Sequence, residues 1–201
     1  MTTTEQTETK EGDSAQIEER RNANDVKAFN DLYTMKEEIA KGGYATVFLA
    51  NPKSDNEKEY AVKVIDRNNL KEKDVQSVFR EAEILQELKE LPNVISIVDF
   101  IVEPQYFYVV QFYAGGGDLF YRLTKRKQYT EKDARDIAIV LFQTLHDMHT
   151  KHHIAHRDLK PENLLLEESN TDEKLYFAGQ FSENEKIISM PVNRITIAEL
   201  L

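Results

Sequence analysis

Apolar and polar residues begin to alternate regularly near Phe29, and the period of that alternation predicts most of the elements. Strand-like runs lie at Tyr33 to Lys41, Ala45 to Ala50 and Glu59 to Ile65, separated by Gly42-Gly43 and by the turn cluster Pro52 to Asn56. Val75, Val78, Phe79, Ala82, Leu85 and Leu88 then recur at three- and four-residue spacing. That spacing predicts an amphipathic helix, which Pro92 stops. Two more strand-like runs, Val94 to Val102 and Tyr106 to Phe112, flank the turn Glu103-Pro104-Gln105, and Gly115-Gly116-Gly117 closes this half.

The second half opens with a helix. Thr130-Glu131-Lys132-Asp133 has the spacing of an N-terminal capping box, with Asp in place of the usual Glu or Gln. Ala134, Ile137, Ala138, Leu141, Leu145 and Met148 trace its apolar face over roughly residues 130–150. A polar loop follows, then short strands at Leu164 to Leu166 and Leu175 to Phe177 on either side of a charged turn.

Composition narrows the class. With 40% hydrophobic and 31% charged residues in 201, the chain has the make-up of a soluble globular protein with one domain and a tail. Residues 1–25 hold seven acidic and three basic side chains and almost nothing apolar, so a disordered acidic tail is expected over 1–28. The absence of cysteine excludes a disulfide framework, a Cys-ligated zinc site and a thiol nucleophile. A formal net charge of −10 argues against nucleic acid as a partner, since binding it requires basic surface. The longest apolar run, Ile137 to Phe142, is too short to cross a bilayer, and no basic-then-apolar leader opens the chain. No membrane partner and a cytoplasmic or nuclear location are the expectations.

The most specific stretch is His156-Arg157-Asp158-Leu159-Lys160-Pro161-Glu162-Asn163. It resembles the protein-kinase catalytic loop, H-R-D-L-x-x-x-N, at every fixed position, and Lys160 before Pro161 is the Ser/Thr-kinase form. Tyr60-Ala61-Val62-Lys63 is similar to the family's third-strand V-A-I-K. Eighteen residues on, Glu81 lies at the edge of the helical stripe, where it is placed to pair with Lys63. Ile39 to Val47 aligns with the glycine-rich phosphate loop, although Ala40 and Ala45 replace its outer glycines and only Gly42 keeps the middle position, followed by Gly43. Gly116-Gly117-Asp118-Leu119-Phe120 and Tyr129 to Arg135 look most like the calcium/calmodulin-dependent group, and the resemblance runs from about residue 33 to 166.

The resemblance implies an α+β, protein-kinase-like fold. A small antiparallel β lobe with one helix would occupy 29–112, and an incomplete, mainly helical large lobe 113–201, with the catalytic loop at 156–163. It implies ATP and Mg²⁺ as cofactors and a protein substrate. Asp158 would act as catalytic base, Lys160 would balance phosphoryl charge, and Lys63 with Glu81 would hold the phosphates. Ile39, Gly42, Gly43, Val47, Ala61, Gln111, Tyr113 and Leu165 would surround the nucleotide, and Asn163 would hold a metal.

Two departures follow. In Lys174-Leu175-Tyr176-Phe177-Ala178-Gly179, Phe177 stands where D-F-G has its metal-holding Asp, and no A-P-E follows. Residues Asn193 to Leu201 resemble the start of the family's last helix, so an internal deletion is expected between them. These departures imply a kinase-family chain whose transfer activity is lost or strongly reduced. The alternatives are an inactive nucleotide-binding or interaction module and a non-functional truncated product. His146, His149 and His153 could share a helix face and bind a metal, although surface histidines at a helix end are the plainer account.

Overall fold

The computed structural model describes residues 28–126, 130–167, 174–179 and 181–183. The acidic tail and the helix-like stretch 193–201 lie outside them. A five-stranded antiparallel sheet dominates the first half, in the order β1-β2-β3-β5-β4: β1 Tyr33–Lys41, β2 Ala45–Pro52, β3 Tyr60–Asp66, β4 Ile97–Val102 and β5 Tyr106–Phe112. β1, β5 and the short strands near 165 and 176 have the bounds that the alternation predicts.

Register sorts the side chains onto two faces. Val47 pairs with Lys63 and Lys63 with Val109; Leu49 pairs with Ala61 and Ala61 with Gln111. Cross-strand partners share a face, so these residues look the same way. The opposite face carries Val62, Tyr108 and Val110, and a short helix α1 (Phe29–Leu32) covers it. The Phe29 ring stacks on Tyr108 at 4.4 Å and on Tyr33 at 5.3 Å, and its backbone N–H donates to Glu103 Oε1. α1 escapes the sequence pattern because a single helical turn shows no periodicity.

α2 (Glu72–Glu87) lies on the side of the sheet that carries Ile65, Phe107 and Val109, and buries Val78, Ala82, Ile84 and Leu85 there. Phe79, Phe100 and Phe107 pack edge to face or stacked, with centroids 5.3 to 6.0 Å apart. The strand predicted from Val94 begins only at Ile97. Before it, Ile95 N–H donates to Phe177 O and Phe177 N–H to Asn93 O, so this stretch pairs with a strand 82 residues away instead of with β5.

Beyond Phe112 come α3 (Leu119–Lys125), α4 (Glu131–Lys151) and four short strands: β6 (Ile154–Ala155), β7 (Leu164–Leu166), β8 (Leu175–Phe177) and β9 (Ser182–Glu183). β7 pairs with β8 and β6 with β9, both antiparallel. Thr130 caps α4 as predicted: its Oγ1 accepts from Asp133 N–H, and Asp133 Oδ2 accepts from Thr130 N–H. Leu141, Leu145 and Met148 of α4 enter the core, whereas Ala134, Ala138, Ile139 and Phe142 line an open apolar groove. No helix among the described residues is long and apolar enough to cross a membrane.

Phe107 is fully buried, touches two rings and has the Arg67 guanidinium 4.7 Å from its centroid. Phe107→Ala is expected to cost about 3–5 kcal/mol. Urea unfolding would show this as a lower midpoint with an unchanged slope.

Candidate active site

Of the predicted residues, Gly42, Lys63 and Glu81 line one cavity, while Asp158, Lys160 and Asn163 cluster on the loop after α4. On the sheet side, Lys63 Nζ donates to Glu81 Oε1 at 2.6 Å. Lys63 projects from the middle of β3, held on both sides by β2 and β5, and Glu81 from the inner edge of α2. Both side chains are largely shielded, at 27% and 18% exposure, so the pair is screened less than a surface bridge.

On the loop side, Asp158 Oδ2 accepts from Lys160 Nζ at 3.1 Å and from Asn163 Nδ2 at 2.8 Å. Asn163 Nδ2 also donates to Asp158 O, which pins the two ends of the loop together. The Lys160 ammonium first, and Asn163 next, hold the Asp158 carboxyl below the usual carboxylate range. It is ionised at neutral pH and can accept a proton from a hydroxyl group. A 3₁₀ turn, Pro161–Asn163, with Pro at its first position, gives the loop its shape.

Beneath the loop sits His156, 2% exposed. Its Nε2–H donates to Ala178 O at 2.8 Å, and burial pushes its pKa down, so the ring is neutral. Nδ1 is buried with no partner among the described residues. Gly179 follows at φ +118. A Cβ there would come within 3.0 Å of Asn163 Nδ2 and 3.3 Å of His156 Cε1, so only glycine lets the strand after Phe177 pass this close.

One cavity joins the two sides. Gly42, Tyr44 and Ala45 of the β1–β2 hairpin, Lys63, Ser77 and Glu81, and then Arg157 and Phe181 line it. The hairpin closes through Gly42 N–H to Ala45 O at 2.8 Å, and Gly43 has open space around it. Val47, Ala61 and Gln111 share the Lys63 face of the sheet by register. Ile39 lies in the irregular register between Glu38 and Ala40 and is 39% exposed. Leu165 is half-buried on β7, bridged to Asp118, and Tyr113 packs against Gly115.

Sequence patterns missed Phe181, a lone aromatic among polar residues. They passed over Arg157 as part of a motif with no separate role. They also missed Asn93, whose Nδ2 donates to Leu175 O. The histidine cluster does not assemble: no group of three or more His, Cys, Asp or Glu able to hold a metal exists among the described residues. His152, outside that trio, contacts Glu87 Oε1 at 3.2 Å, and burial lowers the His149 pKa.

Residues 33–188 match the protein kinase domain family, more than half of the chain. The chain belongs to the protein kinase family. Among its curated relatives, calcium-dependent protein kinase 4 of Plasmodium berghei is 36% identical over 148 residues, 73% of this chain and 28% of the relative. Calcium/calmodulin-dependent protein kinase type 1 of Caenorhabditis elegans is 36% identical over 145 residues, 72% and 41%. The type II alpha chain of Drosophila melanogaster is 38% identical over 138 residues, 69% and 26%. These relatives place this kinase-family chain in the calcium/calmodulin-dependent group of Ser/Thr kinases. It spans well under half the length of each of them.

Gly179→Ala is expected to destabilise by more than about 1 kcal/mol, through its φ and the contact with Asn163. Gly43→Ala, where nothing lies within 4 Å, is expected to be neutral or mildly stabilising. Denaturant midpoints of the two variants compare the sites directly.

Proposed function

We propose that this chain binds ATP in the cleft and that its phosphoryl transfer to protein Ser/Thr is lost or strongly reduced. The observation that carries the binding half is the Lys63–Glu81 pair, 2.6 Å, which lines one cavity with the glycine hairpin and Arg157 of the catalytic loop. Lys63 holds the α- and β-phosphates, kept in place by Glu81, and the backbone at Gly42 and Gly43 covers them. Val47, Ala61 and Leu165 enclose the adenine, Gln111 stands at the back of the pocket, and Tyr113 lies in the link between a small lobe at 29–112 and the large-lobe portion at 113–201.

In the family reaction a Ser/Thr hydroxyl oxygen bonds to the γ-phosphorus as the bond to the β–γ bridging oxygen breaks. The hydroxyl proton goes to a carboxylate, and ADP leaves. Asp158, ionised and beside Lys160, has the chemistry for that proton. The donor set for Mg²⁺ is incomplete. Asn163 donates through Nδ2 to Asp158, which leaves its Oδ1 as the metal-ligating atom, whereas Phe177, fully buried in the core, offers no oxygen where the family has its principal ligand. Catalysis of this kind is mostly positioning and charge neutralisation, so losing that ligand costs several kcal/mol of transition-state stabilisation. The reading that the observations favour is a nucleotide-binding kinase-family module with a residual or absent transfer step.

Thermal unfolding tests it. ATP at a hundred times its dissociation constant is expected to add about 2.7 kcal/mol and raise the midpoint in magnesium and in EDTA alike. Lys63→Ala is expected to abolish the shift, and phosphate incorporation is expected to match that of an Asp158→Asn control. A wild-type chain whose midpoint ATP does not move overturns the binding half. Incorporation well above the control overturns the other.

A further inference from the structure

The region between the catalytic loop and α2 holds one aromatic side chain that neither motif nor periodicity accounts for. Phe181 is 7% exposed, and its ring meets His156 edge to face at 4.9 Å and 70°. Phe177 meets the same imidazole edge to face at 5.8 Å and 66°, so His156 contacts two rings. Ala178, at the aromatic position of D-F-G, brings only its carbonyl to His156. Phe181 also lines the cavity that contains Val78 and Glu81. Those two project from successive turns of α2, three residues apart and on one face. The backbone just past Phe181 is anchored as well: Ser182 and Glu183 pair with Ala155 and Ile154, immediately ahead of His156.

We infer that Phe181 is a positioning residue, which fills the space between His156 and α2 and so sets the distance between Glu81 and Lys63. The inference deepens the nucleotide-binding reading and rests on it for its functional consequence. The physical reason is that a packed interior does not close over a missing phenyl group without moving an element. The catalytic loop is tied down by the Asp158–Asn163 bonds, β6–β9 and the Gly179 turn, whereas the first half of α2 has Glu72, Lys73, Gln76 and Ser77 in solvent. The helix is the element that yields. A shift of about 1 Å takes a charged hydrogen bond of this length out of bonding range.

The test reads Lys63 directly, on the full chain and without nucleotide. Acetylation of Lys63 by an N-hydroxysuccinimide ester is followed by peptide mass spectrometry, with exposed Lys53 as the control. Glu81→Gln sets the scale for an unheld Lys63. Phe181→Ala is expected to raise the Lys63 rate severalfold, close to the Glu81→Gln rate, with Lys53 unchanged. Phe181→Leu is expected to fall between wild type and Glu81→Gln. The Phe181→Ala, Glu81→Gln double variant is expected to label no faster than Glu81→Gln alone, because both act on one contact.

A wild-type Lys63 rate in folded Phe181→Ala overturns the inference, as does additivity in the double variant. If Phe181→Ala unfolds, seen as loss of far-UV circular dichroism and of a cooperative thermal transition, folded Phe181→Leu decides: a rise at Lys63 with Lys53 unchanged supports the inference and no rise overturns it. Protection of wild-type Lys63 by added ATP is scored separately. Its absence counts against the nucleotide reading and leaves the Phe181 result standing.

Discussion

The backbone of Phe177 is the joint on which the two halves of the structure depend. On one edge it pairs with Leu164 of β7; on the other it exchanges hydrogen bonds with Asn93 O and Ile95 N–H, at 2.7 and 2.9 Å. One residue thereby couples the approach to the five-stranded sheet with the strands that carry the catalytic loop. Its ring is fully buried and belongs to the same core cluster as Leu85, Met148 and Leu164. A carboxylate facing that cluster would be a charge taken out of water without a partner, which proteins avoid at a cost of several kcal/mol. Phenylalanine suits the core at this position, and its side chain has no oxygen to offer a metal. Packing and chemistry pull in opposite directions at residue 177.

Around that joint, the loop's electrostatics are arranged by burial and by proximity, each on a different group. His156 is kept neutral because desolvation outweighs its carbonyl partner and the Asp158 charge, and as a neutral ring it donates one bond and meets two aromatic rings edge to face. Asp158, by contrast, is near solvent and charged, stabilised by an ammonium and an amide within about a hydrogen-bond length. The buried group shapes the loop, and the other keeps its charge at the edge of solvent. Lys63 and Glu81 form a third arrangement, a half-shielded pair supported by the most regular part of the sheet.

Kinase-family membership rests on the match over residues 33–188 and on relatives 36% to 38% identical. The fold agrees with it through the antiparallel sheet, the helix that carries Glu81 and the catalytic loop. The groove on α4 lined by Ala134, Ala138, Ile139 and Phe142 marks apolar surface that the described residues leave open, as the helical stripe implies. Its exposure forfeits roughly 25 cal/mol per Å² of burial, a continuing cost to any chain that leaves it wet.

Local sequence determined more here than is common. The two-residue period set β1 and β5 to the residue, the three-four spacing placed α2 and α4, and Thr130 with Asp133 marked where α4 starts. The catalytic loop was legible because its residues are contiguous, and Lys63 with Glu81 because a strand and the helix after it keep them at a constant spacing. What tertiary structure alone decided involves partners far apart in sequence. Val94 and Ile95 left the predicted strand because this stretch pairs with Phe177. α1 formed because Phe29 found Tyr108. Phe181 became buried because Gly179 let the chain turn past Asn163 toward His156. Periodicity records which face of an element is apolar, and it carries no information about which distant surface that face will meet.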